Sequence, residues 1–155
     1  MAAKVLSPGD RAPEIRLPDL DGQTRALKEL DGGKPSLVVL FKISCPTCQF
    51  TLPYLERMKG GGVSVVGISQ DDAESTREFN QEFGVTFPTL VDEPQYRVSE
   101  GFRITHVPSM FLVEGDGRIS WSSVGWSRQA IEELGKKAGV EVVRPGEFVP
   151  EWKSG

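Results

Sequence analysis

The chain has 155 residues, 38% of them hydrophobic and 26% charged, with 18 basic against 22 acidic side chains and a formal charge of -4. This is the composition of a soluble globular protein, long enough to bury a substantial core. No basic patch stands out, so neither nucleic acid nor an anionic membrane is indicated as a partner. One domain over residues 1–155 is expected, with an extended C-terminal tail at 140–155. The start, Met1 to Pro8, lacks the apolar stretch of an export signal. A cytoplasmic location follows for the chain as given, and a periplasmic or membrane-anchored one if such a signal was trimmed.

Along the chain, residues 12–27 alternate apolar and polar side chains around Asp21-Gly22, a hairpin signal. Asp31 to Pro35 then breaks the chain before Leu37-Val38-Val39-Leu40-Phe41, a short apolar run that suits a strand buried on both faces. Pro46 opens a helix expected to reach about Lys59 through Leu52, Leu55 and Met58, with Pro53 kinking it. A second buried strand is predicted over Val63–Ile68, completing a βαβ order. Asp71 and Glu74 read as a capping box for a helix that carries Phe79 and Phe83 and stops at Gly84. Thr89-Leu90-Val91 reads as a strand and Tyr96 to Phe102 as a short helix. Strands at 109–113 and 118–124 flank the Gly115-Asp116-Gly117 turn. Ser127 is the expected cap of a last helix that ends at Gly139, with Glu132 and Glu133 early and Lys136 and Lys137 late.

The chemistry is concentrated in Cys45-Pro46-Thr47-Cys48, which holds both cysteines of the chain. Residues three apart on a helix share a face, so the two sulfurs can close a disulfide and reopen it. With Pro46 at the first helical position, Cys45 falls at the N-cap, facing the backbone N–H groups of Thr47 and Cys48. Those donors and the helix dipole favour thiolate, which at such sites brings a cysteine pKa from ~8.5 to roughly 3.5–7.5. Cys45 is therefore read as the nucleophile. Cys48, one turn further in, is read as the resolving thiol.

Other uses of the motif fit less well. Zinc normally takes four ligands, but there is no second pair of cysteines and the sole histidine, His106, is distant in sequence. Haem attachment would place histidine where Gln49 stands. A disulfide closing so short a loop removes little unfolded-state entropy and is a poor staple. No cofactor is required.

The order of these features resembles the thioredoxin superfamily, and within it the TlpA-type and redoxin (AhpC/TSA-like) branch. The matches are Ala12-Pro13 through Asp21-Gly22, the cysteine motif with Pro53, and His106-Val107-Pro108 running on to Ile119, together about residues 10–138. The resemblance implies an α/β thioredoxin-like fold: a central mixed sheet flanked by helices, an N-terminal hairpin and an inserted helical segment. It also implies a cis Val107–Pro108 peptide beside the dithiol, with Pro46, Thr47, Val107 and Pro108 contacting an extended substrate. Two features depart from that pattern. Thioredoxins carry a buried aspartate six residues before the first cysteine, where this chain has Val39. TlpA-type reductases often carry glutamate two residues before the helix proline, where this chain has Thr51. Lys42 reads as a solvated strand-end residue, and His106 as a surface or hydrogen-bonding one. Trp121 and Trp126 read as packing residues before a substrate rim.

Three functions remain open. The leading one is a thiol-disulfide oxidoreductase that reduces a disulfide-containing protein or small disulfide and is recharged by an upstream thiol reductant, a role in redox homeostasis. The second is a peroxiredoxin-like antioxidant peroxidase, in which the first thiolate forms a sulfenic acid on peroxide. Peroxiredoxins place proline and threonine seven and three residues before that cysteine, where Val38 and Lys42 precede Cys45. Counting from Cys48 gives Phe41 and Cys45 instead. The third is a non-catalytic binding module.

Overall fold

The computed structural model describes residues 4–155. Met1–Ala3, part of the stretch read for an export signal, lie outside them. Strands β1 (Arg16–Pro18) and β2 (Thr24–Ala26) pair antiparallel as the predicted hairpin. A four-residue helix, α1 (Leu27–Leu30), leads to β3 (Ser36–Phe41), α2 (Pro46–Glu56) and β4 (Ser64–Ser69). Then come α3 (Ala73–Phe83), β5 (Thr89–Val91), α4 (Arg97–Phe102), β6 (Ser109–Val113) and β7 (Ile119–Val124). The chain closes with β8 (Trp126–Ser127), α5 (Arg128–Ala138) and β9 (Trp152–Lys153).

Five strands form a mixed sheet in the order β5-β4-β3-β6-β7. β3 is central, parallel to β4 and antiparallel to β6, and every residue in it is buried. Its alternate side chains serve two cores, as a period of two requires. Leu37, Val39 and Phe41 pack with Leu52 and Leu55 of α2, Phe79 of α3 and Ile131 and Leu134 of α5. Val38 and Leu40 pack on the other face with Ile15, Val98 and Phe102, whose ring stacks on Phe111 at 4.2 Å. This is the architecture implied by the resemblance.

Three local expectations change. α2 ends at Glu56, because Met58 and Lys59 donate to the carbonyls three residues back in a tightened turn rather than continuing the helix. The cap of α3 is Asp72, which accepts the Ser75 N–H at 3.0 Å, since the Asp71 carboxylate is engaged elsewhere. α5 has no acidic residue in its first turn; Glu132 lies beyond it and pairs with Arg128 at 2.9 Å. Ser127 and Gly139 cap α5 as read.

The segment after α5 is docked more closely than a tail laid over the surface. Val142 and Val149 are buried, whereas Phe148 is fully exposed. Arg57, at the end of α2, donates to the Val142 carbonyl at 2.7 Å and grips Glu147 with both terminal nitrogens, at 2.6 and 2.8 Å. This paired guanidinium draws the Glu147 carboxyl down from 4.5 to about 2. Because the folded-state pKa is the lower one, the stabilisation is complete above about pH 4.5 and is lost as the pH falls towards 2. Urea unfolding across that window should therefore show a loss of stability that Glu147→Gln makes smaller.

Candidate active site

β3 ends at Phe41, and a tight loop carries the chain into α2. Cys45 is the N-cap residue, extended in backbone (φ -84°, ψ 115°), with Pro46 beginning the helix. Its sulfur accepts the Cys48 N–H at 3.1 Å, so it satisfies one of the donors that a helix start leaves open. Main-chain contacts fix the loop: Cys45 N–H donates to Lys42 O at 3.3 Å and the Gln49 side chain donates to Ile43 O at 2.9 Å. Pro53 lies within α2 and leaves the Gln49 carbonyl without its usual helical donor.

The two cysteines are free thiols in unequal settings. Cys45 is partly exposed, whereas Cys48 is fully buried in the core beneath α2. Burial pushes the Cys48 thiol well above its ordinary range, and its hydrogen bond with Cys45 and the negative charge of Asp71 add to that. Thr51, one turn beyond Cys48, is also fully buried, and its hydroxyl has no hydrogen-bond partner among the described residues.

The Val107–Pro108 peptide is cis, and the Val107 carbonyl lies 3.5 Å from Cys45 Sγ. Pro46 is exposed, and Thr47 is buried. The Thr47 hydroxyl donates to the Ser154 carbonyl at 2.6 Å. The structure thus brings together Cys45, Cys48, Pro46, Thr47, Val107 and Pro108. His106 faces outward, its Nδ1 2.9 Å from Thr105 Oγ1, and Lys42 is exposed. Trp126 is buried against Phe50 and Tyr54, with ring centroids at 4.8 and 5.1 Å, and Trp121 is also buried.

Asp71 is the residue that sequence reasoning placed elsewhere. Its Oδ2 accepts the Ile43 N–H at 2.9 Å, and its own N–H donates to Ser69 Oγ at 3.0 Å, which holds the carboxylate over the loop before Cys45. The paired Asp71-Asp72 was the available signal. Only one of two adjacent acids can cap a helix, and the other is free to reach across.

This fold is shared with solved structures. The thioredoxin domain of a thiol-disulfide oxidoreductase from Bacteroides vulgatus superposes with a TM-score of 0.74 at 24% identity, covering 86% of this chain and 99% of that one. The arrangement is a thioredoxin fold with a dithiol at the start of α2. The chain belongs to the AhpC/TSA family, whose model matches residues 8–122. Among relatives, the thiol-disulfide oxidoreductase ResA of Halalkalibacterium halodurans is 27% identical over 143 residues, covering 88% of this chain and 77% of that protein. A protein of Mycobacterium tuberculosis named as a candidate peroxiredoxin is 31% identical over 129 residues, covering 74% of this chain and 82% of its own. Among the described residues no helix is long and apolar enough to cross a membrane.

The difference in burial sets an order of reaction. Cys45 should be alkylated by iodoacetamide at neutral pH while Cys48 stays unmodified, as read by peptide mass mapping; equal labelling would contradict the assigned roles.

Proposed function

We propose that this protein is a thiol-disulfide oxidoreductase that reduces disulfides in extended polypeptide segments through Cys45 and Cys48. The observation that carries the reading is the pairing of a partly exposed Cys45, 3.5 Å from the Val107 carbonyl, with a buried Cys48 directly behind it. The relationship to ResA supports it.

In the first step the Cys45 thiolate attacks one sulfur of the substrate disulfide. A bond forms between Cys45 and that sulfur, and the second substrate sulfur leaves as a thiolate. Cys48 then loses its proton and attacks Cys45 Sγ. The Cys45–Cys48 disulfide forms and the first substrate sulfur is released, so the substrate gains two electrons and the protein loses two. An upstream dithiol reverses the change in the protein. In a reducing compartment such as the cytosol the pair rests reduced and ready to act.

Resolution needs an acceptor for the Cys48 proton. Val39 and Thr51 cannot serve at the positions where thioredoxins and TlpA-type proteins carry acids. In our reading Asp71 takes this part, because it is fixed to the Ile43 N–H beside the dithiol loop and its charge acts on Cys48. Asp71→Asn keeps an acceptor for Ile43 and removes the charge. The variant should therefore lower the Cys48 pKa yet slow release of a mixed disulfide about 100-fold or more, the usual range for acid-base catalysis. Cys48→Ser should accumulate the same mixed disulfide without releasing it, visible on non-reducing gels.

The family membership and the M. tuberculosis relative keep a peroxidase reading in view. Rapid peroxide reduction requires oriented donors around the attacked oxygen and the leaving hydroxide. Here Val38 points into an apolar core and Lys42 is exposed, so neither supplies the proline and threonine framework. Reduced protein should turn over insulin disulfides in a Cys45-dependent way and consume hydrogen peroxide no faster than a simple thiol. Fast peroxide consumption with insulin left intact would replace the reductase reading with the peroxidase one.

A further inference from the structure

The segment that follows α5 passes through the site. From Val149 the chain turns back along β8: Trp126 Nε1 donates to the Pro150 carbonyl at 2.7 Å and the Arg128 N–H to the Glu151 carbonyl at 2.9 Å. β9 then pairs antiparallel with β8, Ser127 opposite Trp152 and Trp126 opposite Lys153. Beyond β9 the Ser154 carbonyl receives the Thr47 hydroxyl at 2.6 Å. Gly155 reaches the cis peptide itself, where a Cβ built on it would lie 2.7 Å from the Val107 carbonyl and 3.2 Å from His106 Cβ. Gly125, with φ +70° and its N–H on the Pro108 carbonyl at 2.8 Å, is equally close to the segment. A Cβ there would meet the Lys153 carbonyl at 2.5 Å and the Gly155 nitrogen at 3.0 Å. Residues 153–155 thus lie against Gly125, Thr47 and Val107, one carbonyl away from Cys45 Sγ.

The way the segment is held defines what else would fit. Trp152 is 65% exposed, so its side chain contributes little to docking. The hydrogen bonds that hold residues 151–155 run to their main chain, along a strand edge and from the Thr47 hydroxyl, the chemistry of strand addition, which tolerates many sequences; the side chains add an exposed Arg128–Glu151 pair at 3.7 Å and Lys153 over the Phe50 ring at 5.5 Å. The two glycines supply the closeness that such an approach needs.

We propose that residues 151–155 are an internal occupant of the substrate groove, and that an extended polypeptide enters by displacing them and giving a main-chain carbonyl to Thr47. The substrate part rests on the oxidoreductase reading; the occupation of the groove beside Thr47 and Val107, next to Cys45, stands on the geometry alone. A segment docked for about 90% of the time hides the groove about tenfold, because apparent affinity scales with the open fraction. Thr47 then sets selectivity for an extended main chain over small disulfides, and the segment sets how readily any substrate enters.

Two variants of the 155-residue chain test this. Gly155→Val puts methyl groups against the Val107 carbonyl. Lys153→Pro removes an N–H from the strand pair, since alternation from the bond between Arg128 and Glu151 makes Trp126 and Lys153 the next bonded pair. Amide exchange at Arg128 reports whether the segment has left, and the alkylation rate of Cys45 with a bulky maleimide reports access independently of any activity. We expect faster exchange, alkylation raised about tenfold, and insulin reduction raised in parallel. Added peptide of sequence Phe148–Gly155 should reverse the gain. Release of the segment with alkylation unchanged overturns the proposal, and so does full protection of the Arg128 amide in both variants. Faster alkylation with no insulin reduction in any form leaves the screening intact and removes the oxidoreductase reading instead.

Discussion

The site depends on the two hydrogen-bonded edges of β3. On one edge the antiparallel register sets Leu40 opposite Ser109, so the residues just after β3 and just before β6 leave the sheet at the same end. That places Cys45 beside Val107. On the other edge the parallel register sets Phe41 opposite Ser69, and the residues just after β4 carry Asp71 to the Ile43 N–H. A one-residue slip on either edge would turn every side chain of β3 to the wrong face. With Val38 and Leu40 in one core and Val39 and Phe41 in the other, both registers are held by burial. The convergence of three loops around the dithiol is thus a consequence of packing some distance away.

Much of this was legible because the relevant signals are local. The apolar run of β3, the proline after Cys45, the Gly115-Asp116-Gly117 turn, and Ser127 with Gly139 around α5 each act on their own neighbours, and each element stands where they put it. The exceptions are long-range. Asp71 and Asp72 are equivalent as caps in the sequence, and what distinguishes them in the fold is the Ile43 N–H, which donates to Asp71 while Asp72 caps α3. The grip of Arg57 on Glu147 joins residues 90 apart, beyond any periodicity. The path of residues 150–155 was the least legible. It is held by main-chain groups, which every residue carries, so its composition read only as a loose polar end.

The docked segment and the unequal cysteines bear on one question, the control of a reactive sulfur. A partly exposed thiol at a helix start is open to oxidants and adventitious disulfides as well as to substrates. Backbone pairing at a strand edge offers a weak, replaceable cover, unlike the Arg57–Glu147 grip and the burial of Val149 that secure the same segment further back. Anchoring at one end with exchangeable contacts at the other keeps the cover near the groove at high effective concentration while allowing it to yield.

The chemistry of Cys48 has a related logic. Its ionisation is opposed first by burial, then by its hydrogen bond with Cys45, and further by the charges of Cys45 and Asp71. In the proposed exchange, the first step converts Cys45 to a mixed disulfide, which carries no charge. The electrostatic opposition from Cys45 then disappears, while burial and Asp71 remain. Attack by Cys45 therefore eases the deprotonation of Cys48 at the moment a second nucleophile is needed, and not before. A resolving thiol that ionised in the resting protein would compete with Cys45 for the substrate. One whose ionisation is opposed by its neighbour's charge, on top of burial, until that neighbour has reacted favours this order of steps through electrostatics.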